Sequence, residues 1–76
     1  MKKFSKAQRM LAIVNLLTVT EQIGSAELIK LLNTTERTFY RDLSDLKDIG
    51  VPVYFKKGFR LDKKLWENWK LEDVSR

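Results

Sequence analysis

Gly24-Ser-Ala-Glu-Leu-Ile-Lys-Leu-Leu-Asn-Thr-Thr-Glu-Arg-Thr-Phe-Tyr-Arg-Asp-Leu-Ser-Asp-Leu-Lys-Asp-Ile-Gly50 is the stretch that decides the fold. Ala26, Leu28, Ile29, Leu31 and Leu32 read as the buried residues of one short helix, with Glu27 and Lys30 facing out and Gly24-Ser25 breaking the chain and capping it. Asn33-Thr34 makes a turn. Thr35 stands as N-cap of a following helix that is expected to run to about Asp48 and to end at Gly50 and Pro52. Phe39, Leu43 and Leu46 share one face of that helix, with Ile49 close to it, and the opposite side presents Arg37, Thr38 and Arg41. Two short amphipathic helices joined by a tight turn, the second carrying arginines outward, have the layout of a helix-turn-helix that reads DNA.

Downstream, Val51 to Leu61 alternates apolar and polar residues around Lys56-Lys57-Gly58, the pattern of a small hairpin with a basic tip. Upstream, Ser5 and Gln8 fit a capping box, and Met10, Ile13, Val14 and Leu17 recur on one helical face, so a first helix is expected from about Lys6 to Thr18. The expected fold is α+β and mostly α: a winged helix-turn-helix of three helices and a β-hairpin wing over residues 1–62. A short helical tail over 63–76 follows.

A chain of 76 residues can hold one small core and no second domain for a ligand or for chemistry. Fifteen Lys and Arg against ten Asp and Glu give +5, and a pI near 9.7 favours an anionic partner such as nucleic acid over a membrane surface. The apolar run Met10 to Leu17 is too short to span a bilayer, and Met1-Lys-Lys is followed by no secretory cleavage site, so a cytoplasmic, nucleoid-associated protein is expected. Without cysteine or histidine there is no disulfide framework and no usual zinc constellation, and no metal or cofactor is expected. Catalysis is not expected either: no nucleophile has a base beside it, and the carboxylates lack paired spacing.

Lys2, Lys3, Lys6 and Arg9 gather at the wrong end of the first helix for its dipole. A phosphate backbone nearby would account for them, and so would a solvated basic terminus. Arg37 and Arg41, one turn apart, repel mildly and call for a counter-charge, which Asp45 could supply to Arg41 as a plain surface pair. Against that stands the position of the same arginines where a helix laid in the major groove meets base edges, Arg37 first among them. Thr38 and Tyr40 could reach phosphate through their hydroxyls, or Tyr40 could fold over the edge of the core. Asp42 is expected to hold Arg41 or a backbone amide in place. Lys56, Lys57 and Arg60, with Lys63 and Lys64 just beyond, read as phosphate contacts from the wing, or as charges that blunt an exposed strand edge.

Ser25-Ala-Glu-Leu, Thr35-Glu-Arg-Thr-Phe-Tyr-Arg-Asp-Leu, Leu46, Gly50 and Gly58-Phe-Arg-Leu together resemble the DeoR-type winged helix-turn-helix of bacterial transcriptional regulators, over about Arg9 to Leu61. The resemblance implies that Thr35, Arg37, Thr38 and Arg41 lie on the DNA-reading helix, and that Gly58 is the glycine of the wing. Members of that family usually continue into a large effector domain. Only fourteen residues follow Asp62 here, so no small-molecule effector is expected.

In the tail, Asp62 could cap a last helix on which Leu65, Trp66 and Trp69 share a face. That face either packs on the first helix or pairs with a second copy, and a homodimer would recognise a palindromic site. The expected function is sequence-specific binding of double-stranded DNA by a small transcriptional regulator, a repressor, of a bacterium or mobile element. The alternatives are a winged-helix adaptor or inhibitor that binds protein through Trp66 and Trp69, and an architectural or recombination-accessory protein that bends DNA.

Overall fold

The structure is a computed structural model that describes residues 3–68. It contains α1 (Lys6–Val19), α2 (Ser25–Leu31), α3 (Glu36–Asp48), β1 (Val53–Phe55) and β2 (Phe59–Leu61), followed by helical residues 63–68. This is the expected winged helix-turn-helix. No helix among the described residues is long and apolar enough to cross a membrane.

The helix ends follow from local chemistry. Ser5 Oγ accepts from the Gln8 amide while Gln8 Oε1 accepts from the Ser5 amide, closing the expected capping box. Thr35 Oγ1 accepts from the Thr38 amide at 3.2 Å at the start of α3. Of the pair expected to cap α2, Gly24 is the N-cap, while Ser25 already lies inside the helix and no side chain caps it.

Both α2 and α3 end in the same way. Beyond α2, the Asn33 and Thr34 amides donate to the Lys30 and Ile29 carbonyls; beyond α3, the Gly50 and Val51 amides donate to the Lys47 and Leu46 carbonyls. Each is a Schellman turn, which needs one residue in the left-handed region. Asn33 supplies it at φ 51° and Gly50 at φ 96°. The first of these turns is the turn between the two helices of the motif.

The core joins Ile13 and Leu17 of α1, Leu28 and Leu32 around α2, Phe39, Leu43 and Leu46 of α3, and Val51, Val53, Phe59 and Leu61 of the hairpin region, with Met10, Val14, Ile29 and Trp66 packed against it. Two α2 positions expected inside are outside: Ala26 is exposed, and Leu31 is 52% exposed. A helix of seven residues has room for one inward row, and Leu28 and Leu32, one turn apart, take it. Ile49 is exposed as well, because the Schellman turn swings the chain away after Leu46.

β1 and β2 are antiparallel, with Val53 opposite Leu61 and Phe55 opposite Phe59. Between them Lys57 adopts φ 61° and Gly58 φ 142°. The outer edge of β2 is also paired: Ile23, in the link between α1 and α2, exchanges two backbone hydrogen bonds with Phe59 at 3.1 and 2.8 Å. A Cβ on Gly58 would lie in contact with the Ile23 backbone at 3.4 Å, and it is the positive φ that favours glycine here. Asp62 Oδ1 accepts from the Leu65 amide at 3.1 Å and so begins the last helix, as expected.

Candidate nucleic-acid interface

α3 buries Phe39, Asp42, Leu43 and Leu46 and leaves Arg37 and Arg41 exposed on the far side. Its orientation is set from α1. Arg9 Nε donates to Asp42 Oδ2 at 2.6 Å, a second guanidinium nitrogen donates to Oδ1 at 3.3 Å, and a third bond reaches the Phe4 carbonyl at 3.1 Å. The Asp42 side chain is 1% exposed and that of Arg9 18%. The hydrogen bond to Asp42 raises the Arg9 pKa above its ordinary value in spite of partial desolvation, so the guanidinium stays charged. One turn further along, Lys6 pairs with Asp45.

These contacts correct one expectation and remove one alternative. Asp42 holds Arg9 and not Arg41, and Asp45 is engaged by Lys6 and not by Arg41. The signal for the first was in the sequence: position 42 lies three residues after Phe39 and four before Leu46, on the apolar stripe, where a carboxylate needs a buried partner. Lys6 and Arg9 are therefore tied to α3 by acids, and the counter-charge expected for Arg37 and Arg41 is spent elsewhere. Arg37, Arg41, Lys56 and Lys57 form no ion pair with another described residue.

A cleft of about 490 Å³ opens where the start of α1 meets the turn and the start of α3. Lys3, Asn33, Thr34, Thr35, Thr38 and Arg41 line it together with the Arg9–Asp42 pair. Thr35 Oγ1 donates to Thr38 Oγ1 at 3.1 Å while capping the helix, so both hydroxyls stand at the N-terminal, positive end of α3. Tyr40 takes the second of its expected places: its ring lies 5.0 Å from Phe39 and 6.2 Å from Phe59, edge to face over the core margin, with 44% of the residue exposed.

On the wing, Lys56 and Lys57 are exposed at the tip. Arg60 is half-buried and braced, with Nε donating to the Lys56 carbonyl at 2.8 Å and a terminal nitrogen to Gln22 Oε1 at 2.5 Å. It therefore holds the tip against the α1–α2 link. In the tail, Trp66 is half-buried against the core and Leu65 is 55% exposed, while Trp69 lies outside the described residues. Sequence reasoning passed over Phe55, an exposed aromatic next to the two wing lysines.

Comparison with known proteins agrees with this geometry. The family model described as an HTH domain matches residues 9–59. The uncharacterized HTH-type transcriptional regulator YobV of Bacillus subtilis (strain 168) is 34% identical over 67 residues, which make up 88% of this chain and 21% of that protein. The chain thus spans about a fifth of the length of that relative, and no solved structure matches it. From the Arg9 that anchors α3 to the Phe59 that seats the wing, the matched span covers the helix-turn-helix described above, and the chain belongs to the HTH-domain family.

Proposed function

We propose that this domain binds double-stranded DNA as the DNA-reading module of a transcriptional regulator of the DeoR type, with α3 in the major groove and the wing along the backbone. One observation carries the reading. Arg37 and Arg41 stand exposed and mutually repelling on α3, while Asp42 and Asp45, the acids that follow Arg41 within the next turn, are turned to α1. A polyanion is the partner that relieves that repulsion. Arginine at such positions favours guanine through its O6 and N7 acceptors. Thr38 and Tyr40 sit beside the arginines as hydroxyl donors to phosphate, Thr35 gives its own proton to Thr38 Oγ1 and so holds that hydroxyl at the DNA face, and Lys56 and Lys57 add contacts that strengthen binding in a salt-dependent way. Arg60 acts from behind, by holding the wing tip.

Occupation of a promoter in this manner represses. A second copy joining through the exposed Leu65, which borders an apolar cleft of about 310 Å³ with Pro52, Val53 and Tyr54, would create a palindromic site. The homologous regulator carries the HTH label in its name, which supports the assignment to transcription. The test is selection of bound duplexes from sheared bacterial genomic DNA at near-physiological salt. Enrichment of one inverted repeat is the expected result, a single half-site would remove the dimer, and recovery no different from input would overturn the DNA reading.

A further inference from the structure

Phe55 ends β1 with 65% of its surface exposed, although it does not belong to the outer face of the hairpin. Its register partner is Phe59, which is buried, and Val53, two residues earlier on the same face, is buried opposite Leu61. The inward face of the wing thus runs past the margin of the core, and Phe55 overhangs it. Phe59 lies 5.1 Å from Phe55 on one side, and 5.5 Å from Phe39 and 6.2 Å from Tyr40 on the other, each pair of rings meeting edge to face. Phe55 on the wing and Tyr40 on α3 are therefore the two exposed ends of one aromatic row that joins wing to helix.

The charges around this row indicate what covers it. Lys56 and Lys57 follow Phe55 directly, Arg41 follows Tyr40, and none of the three is paired with a described acid. An apolar strip whose two elements, α3 and the wing, also carry exposed cations that pair with no described acid suits a partner that is in part anionic and in part apolar. A DNA groove has that profile, with phosphates along its rims and deoxyribose and thymine methyl groups on its walls.

We propose that Phe55 is a DNA contact, packing its ring on the sugar and methyl surface of the groove wall between the contacts of α3 and those of the wing tip, with Tyr40 carrying the other end of the same strip. The proposal rests on the DNA-binding reading above and deepens it. It makes the wing a source of apolar contact as well as of charge.

The experiment is fluorescence anisotropy with a short fluorescein-labelled duplex of random sequence, titrated over a salt series with the wild type, Phe55→Ser, Phe55→Leu and Lys57→Ala. Phe55→Ser is expected to weaken binding about tenfold at every salt concentration with the slope of log K against log salt unchanged, since it removes apolar contact and no charge. Lys57→Ala is expected to reduce that slope by about 0.9. Phe55→Leu keeps apolar area and should recover part of the loss, and the circular dichroism melts of both Phe55 variants should match the wild type. Wild-type affinity in Phe55→Ser overturns the contact and leaves the DNA reading intact. A wild-type protein that ignores the duplex but binds phosphatidylglycerol vesicles overturns both.

Discussion

The start of α1 and the outer face of α3 with the wing are both rich in Lys and Arg, yet they differ in what the cations face. Lys6 meets Asp45 and Arg9 meets the buried Asp42, so these two α1 cations are spent within the molecule and fasten α3 in place. Arg37, Arg41, Lys56 and Lys57 meet no described acid and point outward. A count of positive charge treats the two regions alike. Where the acids lie makes one a structural clamp and the other a surface that an anion can use.

The largest break in this contrast should come at Arg9. Arg9→Ala strands a carboxylate that is 1% exposed and should cost about 3–5 kcal/mol in a urea melt, a large share of the stability of so small a domain. Asp42→Ala should cost less, because the Arg9 side chain it strands is 18% exposed and keeps water. Reversing both α3 charges, Arg37→Glu with Arg41→Glu, should leave the melting temperature near that of the wild type and reduce affinity for the selected duplex by about a hundredfold. Unchanged affinity would mean that this face is not the one that reads DNA.

Gly58→Ala tests how firmly the wing is seated. A side chain at φ 142° should destabilise by about 1–3 kcal/mol by chemical denaturation, and a neutral result would show that the wing turn can relax its backbone without loss. The smallest effect is expected at Lys6. Its pair with Asp45 is open to solvent, so Lys6→Ala should change stability by less than about 1 kcal/mol. If it lowered the salt slope of DNA binding as much as Lys57→Ala, the α1 cluster would have to be counted with the interface after all.

The helix ends were legible because each depends on a few neighbouring residues. Ser5 with Gln8, Thr35 before α3, Gly50 after it and Asp62 before the last helix cap as their sequence neighbours require. Asn33 played the part of a glycine in the turn, by a geometry that Asn tolerates. The exposed placement of Arg37, Arg41, Lys56 and Lys57 could be read in the same way, since helical periodicity assigns the side of the arginines and the turn before Gly58 puts the lysines at the hairpin tip. The partners of Asp42 and Asp45 could not, because those acids lie 33 and 39 positions from the cations they bind and nothing in local spacing ranks a distant arginine above a near one.

Local sequence, then, determined the order of elements, their caps and the face on which each cation stands, since these follow from backbone geometry within one or two turns. Tertiary packing alone decided which cations are neutralised, that Ile23 becomes the outer partner of β2, and that Phe55 projects beyond the core. The physical reason is that charge pairing, edge pairing and burial depend on what arrives from elsewhere in the chain, and only the closed core brings α1, α3 and the wing within reach of one another.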